Sequence, residues 1–331
     1  MSADETTLIR RHFAALGATR ADVTLGIGDD AALLRAAPGH ELVMTTDSLV
    51  AGTHFLPGAD PHSLGHRAIA VNLSDLAAMG AEPCWALLAL TLPAADESWL
   101  RAFADGARPL LQAHDVALVG GNLARGPLNI ALTLTGQVPI GTALRRTGAA
   151  PGELLCVSGT VGDAAAGLAL LRDDARAGAA GAVAADAGTQ AARRTLLERF
   201  GYPAPRLALG RALRGLASAC IDVSDGLVRD LTRLAEANGT GALLVAEQLP
   251  LSTELRAVAG SQALQRALYG GEDYELLFTL PESRLDALRL AARACATPVS
   301  VIGRLLPGSG VWLQQAGQRT PLADGGFDHF S

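Results

Sequence analysis

Acidic residues recur along this sequence in short clusters with glycine, serine, threonine or asparagine, each where a run of apolar residues ends. The clusters are Gly28-Asp29-Asp30, Thr45-Thr46-Asp47-Ser48, Asn72-Leu73-Ser74-Asp75, Gly120-Gly121-Asn122, Asp222-Val223-Ser224-Asp225-Gly226 and Gly270-Gly271-Glu272-Asp273. Carboxylate, hydroxyl and amide oxygens are the ligands that hard cations such as Mg²⁺ prefer. The clusters therefore predict all-oxygen cation sites.

Each cluster also has a purely structural interpretation, because Asp, Ser and Thr cap helices and occupy turns. Ser74 or Ser224 can cap the helix that follows it, and Asp47 can lie in a turn. The recurrence favours binding over capping. Several carboxylates on one face raise one another's pKa and destabilise the fold unless cations neutralise them.

Lysine is absent, and all 27 basic residues are arginine. This excludes a P-loop lysine, a Schiff-base lysine and a kinase-type strand lysine. A polyphosphate is the ligand that suits several Mg²⁺ ions and no lysine, because each ion bridges acidic side chains to phosphate oxygens. Arg145, Arg146 and Arg206 are candidates for the remaining positive charge, with a solvated surface arginine as the alternative for each.

The first cluster has a second functional interpretation. Gly26 to Ala31 matches G-x-G-x-x-A, and Asp47 follows at about the distance of a ribose-binding acid. A dinucleotide site needs a real helix after the glycines, whereas residues 31–37 are followed directly by Pro38-Gly39. Two adjacent carboxylates also repel a pyrophosphate. A metal-binding loop is therefore favoured over an NAD site.

Composition limits the partners and the location. The chain has 331 residues, 49% hydrophobic and 18% charged, with a net charge of −6. It shows no basic stripe for nucleic acid and no signal peptide, and its longest apolar run, Cys84 to Leu92, is too short to span a membrane. The four separated cysteines indicate reduced thiols and a cytoplasmic protein.

Hydrophobic periodicity predicts a mixture of helices and strands in both halves of the chain. Helices are predicted over 4–16, 61–80, 97–113, from 163, 205–216, 227–238 and 282–295. Strands are predicted over 85–92, 117–119, 128–138, 153–158, 241–245, 275–279 and 300–304. Residues 31–35 and 41–46 are predicted to form a hairpin around Pro38-Gly39, and the Ala/Gly-rich stretch 173–190 a mobile helix or loop.

This mixture, together with the length, favours an α+β protein of two domains. Residues 139–152, PIGTALRRTGAAPG, are rich in turn formers and predict a linker. The expected boundaries are 1–140 for the first domain, 141–152 for the linker and 153–331 for the second domain.

Six segments, in their order, resemble the thiamine-monophosphate kinase family, a relative of aminoimidazole ribonucleotide synthetase and selenophosphate synthetase. They are GIGDDA, TTDSLVAGTHF, AVNLSDLAAMGAEP, GGN, IDVSDGL and GGEDYELLF, and the likeness runs from about Leu8 to the closing GGFDHF. The resemblance implies transfer of the γ-phosphoryl group of ATP to thiamine monophosphate, assisted by several Mg²⁺ ions. It also implies a homodimer whose N-terminal mixed α/β domains pair their sheets into a barrel, and a C-terminal α+β domain that completes the active site.

The resemblance also implies roles for individual residues. A catalytic general base is not expected, because the attacking phosphate oxygen is already ionised near neutral pH. Without the resemblance, a packed and hydrogen-bonded His54 would be the preferred interpretation of that residue. The implied Mg²⁺ ligands are Asp30, Thr45, Thr46, Asp47, Asp75, Asn122, Asp222 and Asp225; the implied ATP contacts are Gly121, Asn122, Arg146 and Ser224; the implied substrate contacts are His54, Glu272 and Phe327.

The sequence departs from the family pattern at three places. Asn122 stands where the family usually carries Asp, Phe200 to Arg206 lacks the usual initial His, and Asp324 replaces an aromatic residue. A catalytically weakened nucleotide- or metal-binding homologue and another ATP-dependent synthetase of the superfamily are therefore the alternatives. Selenophosphate synthetase is disfavoured, because the chain lacks an early Cys and a lysine, and the hydrogenase-maturation relative because it lacks a C-terminal Cys.

Overall fold

The computed structural model describes residues 4–177 and 186–327. The chain divides into two compact units: an N-terminal unit of Met1–Leu76 and Ala81–Thr142, and a C-terminal unit of Ala77–Gly80 and Ala143–Ser331. Residues 143–152 of the predicted linker are bonded within the C-terminal unit. The Cys220 N–H donates to the Arg145 carbonyl at 2.7 Å, and the Gly152 N–H donates to the Leu305 carbonyl at 2.9 Å.

The first nine elements include a four-stranded mixed sheet. In chain order they are α1 (Glu5–His12), β1 (Val23–Leu25), β2 (Leu33–Leu34), β3 (His40–Val50), α2 (Pro61–Ala78), β4 (Glu82–Leu92), α3 (Glu97–Ala113), β5 (Ala117–Arg125) and β6 (Asn129–Pro139). The strand order of the sheet is β3-β6-β4-β5, with only β4 and β5 parallel. Helices α2 and α3 pack closely against each other at Gly106. A Cβ atom at this position would lie only 1.8 Å from the His62 carbonyl oxygen, so the contact requires glycine.

The sheet of the N-terminal unit has one covered and one open face. Along β6, Ile130, Leu132 and Leu134 are buried, whereas Thr133 and Thr135 between and beyond them are only half-buried. This is the two-residue period of a strand with one face on the core. The cross-strand register then defines what we call the open face, which carries Met44, Thr46, Leu87, Thr133, Thr135 and Asn122.

The predicted hairpin between residues 31–35 and 41–46 is wrong. The short strand β2 pairs with β1, and β3 pairs along its whole length with β6, from His40 opposite Pro139 to Val50 opposite Asn129. The pairing of β3 with β6 is more favourable because it satisfies the backbone hydrogen bonds of an eleven-residue strand. A hairpin around Pro38-Gly39 would pair only a few residues.

The C-terminal unit is built on a seven-stranded sheet in the order β13-β12-β9-β11-β7-β10-β8. Its core contains Leu155, Ile221, Leu231 and Leu277, all at most 2% exposed. Its elements are β7 (Leu154–Ser158), α4 (Asp163–Ala177), α5 (Ala187–Gly201), α6 (Leu207–Leu213), β8 (Ala219–Val223), α7 (Leu227–Ala237), β9 (Gly241–Val245), α8 (Thr253–Ala259), α9 (Ala263–Tyr269), β10 (Glu275–Leu280), α10 (Leu285–Ala294), β11 (Val299–Leu306), β12 (Val311–Gln315) and β13 (Gln318–Leu322).

The stretch predicted as a mobile helix or loop, 173–190, is helical over residues 173–177 and 187–190. Helix α4 continues to Ala177, and α5 begins at Ala187 with Asp186 as its N-cap, whose carboxylate accepts from the Gly188 and Thr189 N–H groups at 2.9 and 3.0 Å. Residues 178–185 lie outside the described part of the chain. Across the described ranges, every helix is too short or too polar to cross a membrane.

Candidate active site

The GIGDDA segment is the tip of a two-stranded hairpin. Strands β1 and β2 pair antiparallel, with Val23 opposite Leu34, so that residues 26–32 connect them. Asp22 anchors the base, because its carbonyl accepts from the Arg35 N–H at 2.9 Å and its carboxylate from the Trp85 indole N–H at 3.1 Å. A strand rather than a helix follows the glycines, which removes the basis of the dinucleotide interpretation.

A cleft of about 890 Å³ lies between this hairpin tip, α1 and the open face. Asp29 and Asp30 on the tip and Gly121 and Asn122 on β5 line it. The fold thus brings two implied Mg²⁺ ligands, Asp30 and Asn122, and the implied ATP contact Gly121 around one cavity. The volume is within the range of pockets for drug-sized or nucleotide-sized molecules, roughly 300–1,000 Å³. Glycine is required at 121, because its φ is 151° and a Cβ would lie 1.9 Å from the Leu88 carbonyl oxygen.

A second group of implied ligands lies on the covered face of the same sheet. The Thr45 hydroxyl on β3 donates to the Asp75 carboxylate on α2 at 2.5 Å. Asp47 is two residues along β3 from Thr45 and therefore shares its face. Thr46 has the opposite orientation, and its hydroxyl accepts from the Thr133 hydroxyl at 3.1 Å. The implied ligands of β3 are thus divided between the two faces.

Thr46 and Asn122 share the open face but lie on opposite edges of the sheet. Strands β6 and β4 separate β3 from β5. Three strand spacings of about 4.8 Å place the two backbones roughly 14 Å apart. The ligand oxygens of one Mg²⁺ ion are at most about 4 Å apart, because each bond is about 2.1 Å. Thr46 and Asn122 of one copy therefore cannot bind the same ion.

Three clusters do not lie at strand ends as expected. Thr45 to Asp47 are in the middle of β3, Asp75 is inside α2, and Asn122 is inside β5. Ser74 is fully buried within α2 and does not begin a helix. Apolar residues continue on both sides of each cluster, so the element continues through it. The polar groups are tolerated because they bond across elements, as Thr45 does with Asp75.

In the C-terminal unit, the turn between β8 and α7 carries the IDVSDG segment. The N–H groups of Ser224 and Asp225 both donate to the Asp230 carboxylate at 3.0 Å. Asp230 is 1% exposed, and burial, reinforced by the charge of Asp225, raises its pKa to about 6. The N-cap residue of α7 is Gly226, so the alternative interpretation of Ser224 as a helix cap is wrong. Sequence reasoning missed Asp230, whose only signal was its place in the first turn of α7.

The GGEDYE segment docks directly on this turn. The Glu272 N–H donates to the Ser224 carbonyl and the Tyr274 N–H to the Val223 carbonyl, both at 2.8 Å. Glu272 and Tyr274 have left-handed backbones, with φ of 71° and 51°. Between them the buried Asp273 accepts from the Gly162 N–H at 2.7 Å, and burial raises the pKa of Asp273. The strained backbone and its anchor hold Glu272 beside Ser224.

Phe327 joins the same group, because its N–H donates to the Asp225 carbonyl at 3.0 Å. Four implied functional residues, Ser224, Asp225, Glu272 and Phe327, therefore form one cluster in this unit. The remainder of the closing GGFDHF segment, Asp328 to Ser331, lies outside the described residues.

The candidate phosphate-binding arginine Arg206 is a structural residue. Its guanidinium binds Glu275 through two hydrogen bonds of 2.7 and 2.5 Å, and Arg199 and Ser158 also donate to Glu275, at 3.1 and 2.6 Å. Glu275 is 1% exposed, so this group links α5, α6, β7 and β10 in the interior. Arg145 and Arg146 are exposed, and the Arg146 carbonyl accepts from the Asn238 amide at 2.7 Å.

His54 follows β3 and is hydrogen-bonded, since the Val50 N–H donates to its Nδ1 at 3.0 Å. In residues 4–177 and 186–327, no three His, Cys, Asp or Glu side chains are grouped closely enough to hold a metal ion by themselves. The implied ligands occur singly or in pairs such as Thr45 and Asp75. Their roles in metal, ATP and substrate binding stay predictions.

Comparison with known proteins gives consistent matches over the chain. The sequence models of the AIR synthase related protein N-terminal and C-terminal domains match residues 28–138 and 150–314. The thiamine-monophosphate kinase of Escherichia coli K12 is 46% identical over 333 aligned residues, which cover 100% of this chain and 99% of that protein.

Two solved structures are similar as well. The thiamine-monophosphate kinase of Stenotrophomonas maltophilia K279a has a TM-score of 0.82 and 44% identity, over 90% of this chain and 92% of that one. The structure of AaThiL complexed with AMPPCP and TMP has a TM-score of 0.77 and 32% identity, over 89% of each chain. From the full-length identity and both domain matches, we conclude that the chain belongs to the thiamine-monophosphate kinase family.

Proposed function

We propose that this protein is a thiamine-phosphate kinase, which transfers the γ-phosphoryl group of ATP to thiamine monophosphate and releases ADP and thiamine diphosphate. The observation that carries the proposal is the similarity, over 89% of the chain, to a structure complexed with AMPPCP and TMP. AMPPCP is an ATP analogue that cannot transfer its terminal phosphoryl group. That complex therefore contains an analogue of the phosphoryl donor, ATP, together with a phosphoryl acceptor. The two ligands correspond to the two reactants of the proposed step.

The reaction needs alignment and charge neutralisation more than acid–base chemistry. The acceptor is a phosphate oxygen that is ionised near neutral pH, so no side chain has to remove a proton from it. We assign ATP binding to Gly121, Asn122, Arg146 and Ser224. His54, Glu272 and Phe327 are assigned to the acceptor, and the backbone bonds that fix Glu272 beside Ser224 support a positioning role.

The donor set of the chain fits Mg²⁺. It consists of carboxylate, hydroxyl and amide oxygens, and lysine is absent from the whole sequence. Bound Mg²⁺ supplies neutralisation of the phosphate charge. Because the acids of residues 4–177 and 186–327 do not form groups of three, water and phosphate oxygens would complete the coordination of each ion, as is usual for Mg²⁺. The proposed ligands are Asp30, Thr45, Thr46, Asp47, Asp75, Asn122, Asp222 and Asp225.

We further propose a homodimer formed through the open face, with the sheets of two copies closing into a barrel. Met44 and Leu87 on this face are 65% and 43% exposed, and exposed apolar side chains that share one surface are typical of an interaction site. A two-fold axis across the face can bring Asn122 of one copy toward Thr46 of the other copy. This would resolve the separation of these two residues within one copy. A cytoplasmic location is consistent with the proposal and stays a prediction.

The test is a turnover assay with matched variants. Purified protein, MgCl₂, ATP and thiamine monophosphate should give ADP and thiamine diphosphate in equal amounts, separated by chromatography. Asp75→Asn and Glu272→Gln should lose most of the rate, whereas Asp286→Asn on the exposed face of α10 should keep it. Binding of both substrates without turnover would replace the proposal by the weakened homologue.

A further inference from the structure

Arg233 on α7 lies between two carboxylates of the IDVSDG region. Its Nη1 atom is 2.7 Å from the Asp225 carboxylate and 2.9 Å from the Asp230 carboxylate. One guanidinium nitrogen thus occupies the position where a cation would bridge the two acids. Arg233 lies outside the motifs that carry the family resemblance, and it follows Asp225 by eight residues.

The two carboxylates differ in how firmly they are held. Asp230 is buried and accepts from the Ser224 and Asp225 N–H groups, so it is fixed in place. The backbone of Asp225 is fixed too, by its own N–H to Asp230 and by the Phe327 N–H to its carbonyl. The Asp225 side chain is 25% exposed, and rotation about its own torsions can move its carboxylate without moving the turn.

We propose that Arg233 is a resident counter-cation of Asp225, and that a divalent ion binds Asp225 only by taking the place of this guanidinium. The inference rests on the proposed function through the assignment of Asp225 as a Mg²⁺ ligand. Arg233 is then a positioning residue, which keeps the empty site neutral and ordered and raises the cation concentration that the site needs.

The exchange is possible because the Arg233–Asp225 pair is weak. Arg233 and Asp225 are 41% and 25% exposed, so solvent screens their attraction. A guanidinium this close also repels an approaching Mg²⁺ ion. Breaking a partly exposed ion pair of this kind changes an equilibrium constant, here that of cation binding at Asp225, by about two- to fivefold. Removal of the arginine charge should therefore lower the half-saturating cation concentration by about that factor.

The readout is thermal stability, independent of turnover. The unfolding midpoint of the full-length protein is followed at stepped MgCl₂ concentrations and one fixed AMPPCP concentration, so that at each step the binding of the cation to the nucleotide is the same for the parent and for the variant. Arg233→Met should reach half of its Mg²⁺-induced shift at about two- to fivefold lower Mg²⁺ than the parent protein. If the Met variant does not fold, Arg233→Gln replaces it and should show the same decrease in the half-saturating Mg²⁺ concentration. Arg233→Lys keeps the charge and should have a half-saturating concentration close to that of the parent.

The chain offers a matched control. Arg289 pairs with Asp286 at 3.0 Å with the same three-residue spacing as Arg233 and Asp230, but on an exposed part of α10. Arg289→Met should leave the Mg²⁺ dependence unchanged. A shift as large as that of Arg233→Met would attribute the effect to net charge and overturn the inference.

A further variant separates this inference from the proposed function. Asp225→Asn should raise the half-saturating Mg²⁺ concentration. If it does, and Arg233→Met and Arg233→Gln behave like the parent, the counter-cation role is overturned and the ligand assignment stands. If Asp225→Asn also has no effect, both the ligand assignment and the counter-cation role are wrong, and the turnover assay still decides the proposed function separately.

Discussion

Asn122 alters the charge of the proposed site more directly than any other departure from the family pattern. It lies on β5, exposed, on the wall of the cleft that also carries Asp30. Its amide oxygen can still bind Mg²⁺, but it brings one negative charge less than the carboxylate that the family usually carries. The substitution should therefore weaken one cation without abolishing turnover.

Asn122→Asp should lower the Mg²⁺ concentration for half-maximal rate, because it returns a full charge to the cation. Asn122→Ala should raise that concentration, because it removes the oxygen altogether. Initial rates at fixed ATP and stepped MgCl₂ measure both. An Asn122→Asp protein with the Mg²⁺ dependence of the parent would rule out Asn122 as a ligand.

His12 gives the stability a predictable dependence on pH. It ends α1 with 7% exposure, and burial lowers its pKa below 6.5 although the Glu97 carboxylate, 3.9 Å away, opposes the shift. The unfolded chain then binds this proton more readily than the native state. The His12 contribution is thus fully present above pH 6.5 and is lost as the pH falls through the lowered native pKa.

The corresponding measurement is urea unfolding at about pH 8, 6.5 and 5. The parent protein should lose more free energy of unfolding between pH 6.5 and 5 than His12→Gln, which has no titrating ring. The difference between the two proteins isolates His12 from the carboxylates that also titrate in this range. Parallel losses in both proteins would contradict the prediction.

Strand β5 contains two consecutive glycines and places Asn122 on the wall of the cleft. It runs parallel to β4 with an irregularity at Ala86 and Leu87, next to Gly120 and Gly121. The predicted strand ends at residue 119, directly before two glycines, a residue type that weakens the interior of a strand. The strand continues through both glycines to Arg125 in regular register with β4, and Asn122 opposite Ala89 therefore lies on the open face.

Gly121→Ala should destabilise the N-terminal unit by about 2 kcal/mol or more, since the new methyl group cannot avoid the Leu88 carbonyl and the backbone is strained. Gly26→Ala is the matched control in the hairpin tip. A Cβ there lies 3.6 Å from the Val23 side chain, an ordinary contact. Urea unfolding should show less than about 1 kcal/mol for the control, and equal losses would refute this account of Gly121.

For the whole molecule, the open face is the feature on which the proposed dimer, and with it the proposed cation site, depends. It carries exposed apolar side chains, and it has an implied Mg²⁺ ligand at each edge, Thr46 and Asn122. Within a single copy these two ligands are too far apart to bind the same ion. A monomer would leave this surface in water and the proposed cation shell incomplete. Dimerisation and turnover should therefore be lost together.

Leu87→Asp together with Met44→Asp should convert the proposed dimer to a monomer, because both substitutions place charge on an apolar contact surface. Leu290→Asp is the control, as this residue is 66% exposed on α10 in the other unit. Light scattering after size-exclusion chromatography measures the mass. A parent protein that is monomeric and fully active would refute the dimer.

Several features of this protein follow from the sequence alone. The order of its motifs identified the family, and local periodicity located most of the helices and strands correctly, such as α3, predicted over 97–113 and found at Glu97–Ala113. Two mixed α/β parts were expected and are confirmed by the two domain matches. These features depend on residues that are close together in the chain, where side-chain type and spacing act directly.

Tertiary structure alone decided which distant groups meet. Arg206 binds Glu275 across 69 positions and Thr45 binds Asp75 across 30, while Asp230, outside every predicted cluster, fixes the Ser224 turn. It also paired β3 with β6 and divided the implied ligands of β3 between two faces. Such partners are selected by packing and by the burial of charge among elements far apart in sequence, which no local pattern encodes.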